Sequence, residues 1–203
     1  MQASQKTKDL TKAALLVALI IVLALTPLGY LPVGPIRATT IHIPVIIGAI
    51  LLGPRWGAFL GGVFGLTSFL TNTLSPTPFS FVFSPLAPAA DGMGSPLALI
   101  VAFVPRILIG VVAGLVFRFF RNRECLRIPG LLLSGFLGSM TNTILVMFGI
   151  YAFFGRAYAA AKNMPYEAFL GFVAGMIGVN GVIEAIVAAV LAAAVCVPLL
   201  RIL

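Results

Sequence analysis

The most constraining feature of the sequence is a continuous apolar run at residues 97–117 with a single charged residue, Arg106, near its midpoint. The run is long enough to cross a bilayer as a helix, which needs about 20 apolar residues. An arginine at the bilayer centre costs about 3 kcal/mol or more, so it normally faces a protein interior or a wet cavity. Two interpretations stay open: Arg106 pairs with the deep acid Glu184, or it receives an anionic solute.

The composition assigns the whole chain to the membrane. Of 203 residues, 61% are hydrophobic and 9% charged, whereas a soluble domain carries roughly 25% charged residues. The net charge of +8 does not indicate nucleic-acid binding, because the basic residues lie between apolar runs rather than on one face. We predict an all-α integral membrane protein, a six-transmembrane-helix bundle in one domain (1–203). The expected spans are 13–30, 43–52, 56–70, 97–117, 129–154 and 169–200.

The distribution of lysine and arginine predicts the orientation, because cytoplasmic loops carry an excess of both. With six spans, one side holds nine of these residues and the other holds three, Arg37, Arg156 and Lys162. Both termini are therefore expected to be cytoplasmic in a multi-pass protein of the cell (plasma) membrane, with long outer loops capping a pocket. The nine are Lys6, Lys8, Lys12, Arg55, Arg118, Arg121, Arg123, Arg127 and Arg201.

Small residues four apart predict close helix packing, which in lipid relies on backbone approach. Such sets occur at 57–61–65, 110–114, 135–139 and 171–175. The pair Ala14 and Ala18 follows a basic tail directly, so it is equally suited to contact another subunit near the cytoplasmic face.

Polar side chains on three different spans are predicted to lie at similar depth. At 1.5 Å per residue, Arg106, Asn142 and Asn180 lie roughly 14, 18 and 17 Å below the outer ends of their helices. Glu184 lies one turn below Asn180 on the same helix face. Further candidates near the outer ends are Arg37, Thr40, His42 and Asn72. This arrangement favours a binding pocket over a channel.

Several of these residues also have a structural interpretation. His42 is equally typical of a helix start, Arg37 of a solvated loop, and Glu184 of a residue that neutralises Arg106 or holds a helix kink. Buried amides need hydrogen-bond partners, so Asn142 and Asn180 require a bound solute or each other.

The segment 72–95 contains no evident helix. Phe79, Phe81 and Phe83 alternate with smaller residues, which predicts an extended piece with one aromatic face. These rings either form a lid over the pocket, as long loops in compact domains often do, or lie in the membrane interface.

An enzyme is not expected. The sequence has no grouped nucleophilic triad, no metal-ligand spacing and no phosphate-binding loop, so neither a cofactor nor a metal is predicted. A transporter with this sequence would take its energy from a partner or from an ion gradient.

The ordered motifs resemble the substrate-binding S components of energy-coupling factor (ECF) vitamin transporters, most of all the pantothenate-type members. The resemblance covers essentially the whole chain. It rests on TKAALLVAL at 11–19, HIPVIIGAILLGP at 42–54, GGVFGLTS at 61–68 and NGVIE at 180–184.

The resemblance implies partners and a mechanism. Ala14 and Ala18 would contact a membrane-embedded coupling subunit, two cytoplasmic ATPase subunits would supply energy, and the S component would topple to release solute inside. It also implies a pocket formed by spans four to six and covered by the loops at 37–42 and 72–83.

The expected function is therefore the capture of a small anionic vitamin from outside for an ECF-type ABC importer. Pantothenate has a carboxylate for Arg106 or Arg37, and an amide and hydroxyls for the asparagines; hydrogen bonds to charged groups are the stronger ones. Niacin, lipoate or another carboxylate would also fit. Other open readings are an autonomous secondary carrier, with Glu184 coupling protons, and a non-transporting scaffold.

Overall fold

A computed structural model describes residues 4–33, 36–89 and 92–202 of the chain. Within these ranges, seven α-helices form the bundle, with two short antiparallel hairpins in its loops. The prediction of an all-helical bundle is confirmed for the helices, whereas the hairpins were not predicted. The helices are α1 (Gln5–Leu25), α2 (His42–Leu52), α3 (Pro54–Leu74), α4 (Leu97–Phe120), α5 (Arg127–Ala161), α6 (Tyr166–Gly175) and α7 (Val182–Ile202). The strands are β1 (Tyr30–Val33), β2 (Ile36–Thr39), β3 (Pro88–Ala89) and β4 (Gly92–Met93).

Four helical segments in the described part of the chain are long and apolar enough to cross a membrane. They are Pro54–Leu74, Leu97–Phe120, Arg127–Ala161 and Tyr166–Arg201. The last of these joins α6 and α7 through a π-helical turn, Met176–Gly181, which we call the π segment. The shorter α2 is also apolar, and nine of its eleven residues are buried.

Helix α1 begins eight residues before the predicted span, at Gln5. The basic tail continues the helix because Lys is a good helix former, and the Gln5 side chain donates to Asp9 one turn later at 2.9 Å. Pro27 follows the end of α1 at Leu25, since proline cannot continue a helix without losing a backbone hydrogen bond.

Helices α2 and α3 are joined by a single residue, Gly53, with φ of +98°. Only glycine adopts this conformation without a steric penalty. Pro54 then starts α3, where its missing N–H and fixed φ suit the first helical turn. The sharp reversal packs the two apolar helices against each other.

Glycines bring α3 and α4 into backbone contact. A Cβ added at Gly61 would lie 2.8 Å from the Cα of Ile107, and one at Gly57 would lie 2.6 Å from the carbonyl oxygen of Gly110. This is the close approach that the small-residue spacing predicts. By contrast, a Cβ at Gly171 or Gly175 would meet nothing within 4 Å, so that predicted pair makes no helix contact in the described structure.

The α3–α4 loop departs from the predicted extended form. Helix α3 continues through Asn72 to Leu74, and Ser80–Val82 forms a 3-10 turn. The turn is held by side-chain hydrogen bonds: Ser80 Oγ donates to Asn72 Oδ1 at 2.7 Å and accepts from the Thr77 N–H at 2.8 Å. These bonds curl the segment, so its aromatic rings point in different directions.

Two hydrophobic clusters build the core. The first contains residues of α1, α2, α3, α4, α5 and α7, among them Ile46, Leu60 and Ile109. The second joins the 3-10 turn of the α3–α4 loop to α4, α5 and α6 around Val101 and Phe169.

Candidate functional site

A cavity of about 450 Å³ lies between α3, α4, α5, α7 and the π segment. This volume is within the range of small-molecule sites, about 300–1,000 Å³. The cavity borders both hydrophobic clusters, through Phe64 and Val146. Its polar lining consists of Thr39, Ser68, Thr71, Asn72, Ser75, Thr77, Arg106, Asn142, Thr143, Asn180 and Glu184.

Arg106 is the charged centre of this cavity and is 6% exposed. Its position follows from Pro105, which lies inside α4. Proline cannot donate to the carbonyl four residues earlier, which is that of Val101. The Arg106 guanidinium donates to this carbonyl through Nη1 at 2.6 Å. The Arg106 side chain thus supplies the hydrogen bond that Pro105 cannot donate, and it places its charge at the cavity.

Two aromatic rings flank the Arg106 guanidinium. Its Cζ lies 4.8 Å from the centroid of Phe83 and 5.5 Å from that of Phe64. Both rings line the cavity. Cation–π contact is worth about 2 kcal/mol when the cation is desolvated, so these rings favour the charged side chain inside the bundle.

Asn142 and Asn180 line the same cavity as Arg106, as the depth estimate predicts for them. Asn142 Oδ1 is buried and has no hydrogen-bond partner in the described part of the chain. Asn180 Nδ2 donates to the Met176 sulfur at 3.0 Å, and a thioether is a weak acceptor. Both amides therefore retain capacity for a bound solute.

Glu184 and Thr39 form a direct contact at the cavity wall. The Thr39 backbone N–H donates to Glu184 Oε1 at 2.7 Å, and both residues line the cavity. From the sequence, Glu184 could pair with Arg106, hold a helix kink, bind solute or couple protons. The hydrogen bond to the backbone of Thr39 was not predicted.

The predicted lid phenylalanines lie in three different environments. Phe83 lines the cavity beside Arg106. Phe81 is 3% exposed and packs in the second cluster, with its ring 5.9 Å from that of Phe154. Phe79 contacts Tyr158 at 4.9 Å between ring centroids. The last two attach the α3–α4 loop to the end of α5.

Two further predicted residues, Thr40 and His42, lie away from the cavity lining. Thr40 is buried and its hydroxyl donates to the Leu28 carbonyl at 2.6 Å. His42 begins α2, is 1% exposed, and has no hydrogen-bond partner for either ring nitrogen among the described residues. Arg37 belongs to β2, and its side chain is outside the described part.

Ala14 and Ala18 are exposed on α1. Ala14 lines an apolar groove of about 660 Å³ between α1 and α3, together with Trp56 and Phe59. Around them, Leu15 is 68% exposed and Phe59 is 54% exposed. This surface is apolar on a helix that begins with charged residues.

Sequence reasoning missed three hydroxyl groups of the cavity lining: Ser68 and Thr71 of α3, and Ser75 directly after its end. The spacing of three residues between Ser68 and Thr71 places them on one helix face, and this spacing could have identified them. It also missed the π segment, although such turns are frequent at functional sites.

Comparison with known proteins agrees with this architecture. The family model for the ECF transporter substrate-specific component matches residues 8–196. The chain is 39% identical to the pantothenic acid transporter PanT of Lactococcus lactis subsp. cremoris, over 94% of this chain and 92% of that protein. It is 32% identical to the pantothenate transporter PanT of Leuconostoc mesenteroides, over 95% and 92% of the two chains.

The fold is also similar to a solved structure. A crystal structure of the S-component for biotin from an ECF-type ABC transporter superposes with a TM-score of 0.56, covering 96% of this chain and 94% of the other at 17% identity. At this identity the likeness concerns the fold. The family consists of transporter components and not of enzymes, in agreement with the sequence prediction. With a family model matched along nearly its whole length, the chain belongs to the substrate-specific components of ECF transporters.

Proposed function

We propose that this chain captures pantothenate outside the cell and releases it inside when it is coupled to the ECF module. The observation that carries the proposal is a cavity in which a buried arginine lies with two asparagines, one of which has an unpartnered acceptor oxygen. The two relatives at 39% and 32% identity are both named as pantothenate transporters, which favours this vitamin.

The chemical groups of pantothenate match those of the cavity. Its carboxylate suits the Arg106 guanidinium, which forms strong charge-assisted hydrogen bonds. Its amide N–H and hydroxyls are donors for an acceptor such as Asn142 Oδ1. Its two geminal methyl groups suit apolar lining such as Val146 and Met147. A dry site strengthens each of these polar interactions.

The proposed topology has six membrane spans with both termini in the cytoplasm. The six are α1, α2, α3, α4, α5 and the continuous unit from α6 to α7. The excess of lysine and arginine near the termini, the α2–α3 turn and the α4–α5 loop supports this orientation. The cavity would then open toward the outer loops.

The proposed coupling surface is the exposed face of α1 around Ala14 and Ala18. Small side chains permit close approach of a partner helix, and the adjoining groove exposes Trp56 and Phe59 for apolar contact. The partners would be the membrane-embedded coupling subunit and, through it, two cytoplasmic ATPases.

Calorimetry on the purified full chain tests the proposed ligand. Pantothenate, biotin, niacin and lipoate are titrated into the unmodified protein, into Arg106→Ala and into Arg156→Ala. Arg156 is the matched control because it is exposed and its guanidinium lies 5.8 Å from the Tyr166 ring, outside the cavity lining. Arg106→Ala is expected to weaken pantothenate binding at least tenfold, since a charged hydrogen bond contributes about 1.5–3 kcal/mol, while Arg156→Ala binds normally.

Other outcomes contradict the proposal in distinct ways. Binding of niacin or lipoate without pantothenate overturns the choice of vitamin. Uptake of pantothenate into vesicles that lack ATPase partners favours an autonomous carrier. Absence of binding to all four compounds favours the scaffold reading.

A further inference from the structure

One short hydrogen bond joins the β1–β2 hairpin to α7, near the C-terminal end of the sequence. The Thr39 N–H donates to Glu184 Oε1 at 2.7 Å, and the two residues are 145 positions apart. Thr39 ends β2, where it is paired with Tyr30 in the β1–β2 hairpin. Glu184 lies in the first turn of α7, directly after the π segment. The bond therefore joins the hairpin to α7, which forms the cavity wall across from the hairpin.

The base of the hairpin is held by local hydrogen bonds. The Thr40 N–H donates to the Gly29 carbonyl at 3.0 Å, and its hydroxyl donates to the Leu28 carbonyl at 2.6 Å. These bonds fix where the hairpin leaves the bundle. The Glu184 bond adds a connection from the end of β2 to α7.

The Thr39–Glu184 bond is suited to hold the hairpin against α7, and we call this bond the latch. At 2.7 Å it lies at the short end of the range for N–H···O hydrogen bonds. The Thr39 amide uses a side-chain acceptor from outside its own hairpin, and a backbone N–H without a partner is costly away from water. Both residues also line the cavity, so opening this bond opens the cavity wall.

We propose that Glu184 is a positioning residue that latches the β1–β2 hairpin against α7 and thereby limits the rate at which solute leaves the cavity. The latch itself is a property of the empty protein. Its effect on solute release rests on the proposed function.

Hydrogen–deuterium exchange on the ligand-free full chain tests the latch directly. Glu184→Ala is expected to speed exchange in peptides covering 36–42 about tenfold or more, because the Thr39 N–H is left without its acceptor. Glu184→Gln keeps an acceptor oxygen and should retain most of the protection. Glu167→Ala, which removes an exposed acid from the first turn of α6, should leave the exchange unchanged. Unaltered exchange in Glu184→Ala would overturn the proposal.

Stopped-flow kinetics with pantothenate tests the consequence for release. The latch predicts that Glu184→Ala raises the dissociation rate about tenfold and changes the association rate little, with Glu184→Gln close to the unmodified protein. Equal losses in Glu184→Ala and Glu184→Gln, with normal hairpin exchange, would instead identify Glu184 as a charged solute contact. If the unmodified protein binds no pantothenate, the proposed function fails while the exchange result still decides the latch.

A second pair of variants decides the question should Glu184→Ala not fold. Thr39→Pro removes the donating N–H and leaves the Glu184 side chain in place; β2 is an edge strand of a two-stranded sheet, where proline is tolerated. Thr39→Ala removes the hydroxyl, which also interacts with Glu184, and keeps the main-chain donor. Faster hairpin exchange in Thr39→Pro than in Thr39→Ala supports the latch, and equal exchange in the two refutes it.

Discussion

Gly61 offers the sharpest test of how the fold positions Arg106. A Cβ at this position would lie 2.8 Å from both the Arg106 carbonyl carbon and the Ile107 Cα. Both are backbone atoms, so no side-chain rotation relieves the contact. Since ordinary van der Waals contact begins at 3.4 Å, Gly61→Ala must separate α3 from α4 by about 0.6 Å or more, at the residue that carries the cavity's charge.

The expected cost follows from overpacking, which destabilises by about 1–3 kcal/mol. Alanine is favoured over glycine in a helix interior by about 1 kcal/mol, so the net loss is at most about 2 kcal/mol. Chains of this size shift their unfolding midpoint by about 2–4 °C per kcal/mol. We therefore expect Gly61→Ala to melt up to about 8 °C lower in detergent and to bind pantothenate more weakly.

Gly62→Ala is the matched control on the same helix. A Cβ there would meet nothing within 4 Å, so only the gain in helix propensity remains and the midpoint should rise slightly with normal binding. If Gly61→Ala and Gly62→Ala have the same midpoint and the same pantothenate affinity, the contact between α3 and α4 does not position Arg106.

Three further predictions test other contacts. Ser80→Ala removes the partner of Asn72 and should lower stability by about 1–3 kcal/mol, measured as the thermal midpoint; an unchanged midpoint would show that this bond does not hold the loop. Gly135→Ala should destabilise, because its Cβ would lie 2.6 Å from a backbone atom of α7, whereas Gly171→Ala, with nothing within 4 Å, should not; equal midpoints would contradict this packing. Asn142→Leu should leave the empty protein as stable or more stable, since it removes an unpartnered buried oxygen, yet weaken pantothenate binding about tenfold in calorimetry; unchanged affinity would exclude Asn142 as a contact.

The shared depth of Arg106, Asn142 and Asn180 could be predicted because it depends on one regular quantity, the helical rise per residue. Each lies inside a long apolar run, and errors of a few residues in the helix ends displace the estimate by about one turn. The structure places all three in the lining of one cavity. Depth alone does not determine which face of each helix points toward the rest of the cavity lining.

The hydroxyls of α3 were missed because serine and threonine in helices commonly bond to their own backbone. Thr67 and Thr73 do so, to the carbonyls of Phe64 and Phe69. Ser68 and Thr71 line the cavity instead, and only the packing of α3 against α4 distinguishes the two sets. The predicted end of this span at residue 70 also left Thr71 outside it.

The Thr39–Glu184 bond and the curled aromatic loop could not be predicted, for a related reason. Both depend on loops whose shape is set by side chains from distant parts of the sequence. Alternation of aromatic residues at 79, 81 and 83 is a local pattern, and local patterns predict extended backbone only where no other group competes for the backbone donors. The Ser80 hydroxyl competes here, by accepting the Thr77 N–H.

The cavity thus has one rigid wall and one adaptable wall. On the α3–α4 side, glycines bring the two helix backbones into direct contact at the residue that carries the guanidinium, Arg106. On the opposite side, the π segment carries Gly178, where an added Cβ would meet nothing within 4 Å, and Asn180 bonds only a weak sulfur acceptor in the described structure. An entering solute gains most binding free energy when it leaves Arg106 in place and gives the Asn180 amide a stronger acceptor than sulfur. Adjustment on binding is therefore expected at the π segment and at the hairpin that Glu184 joins to α7.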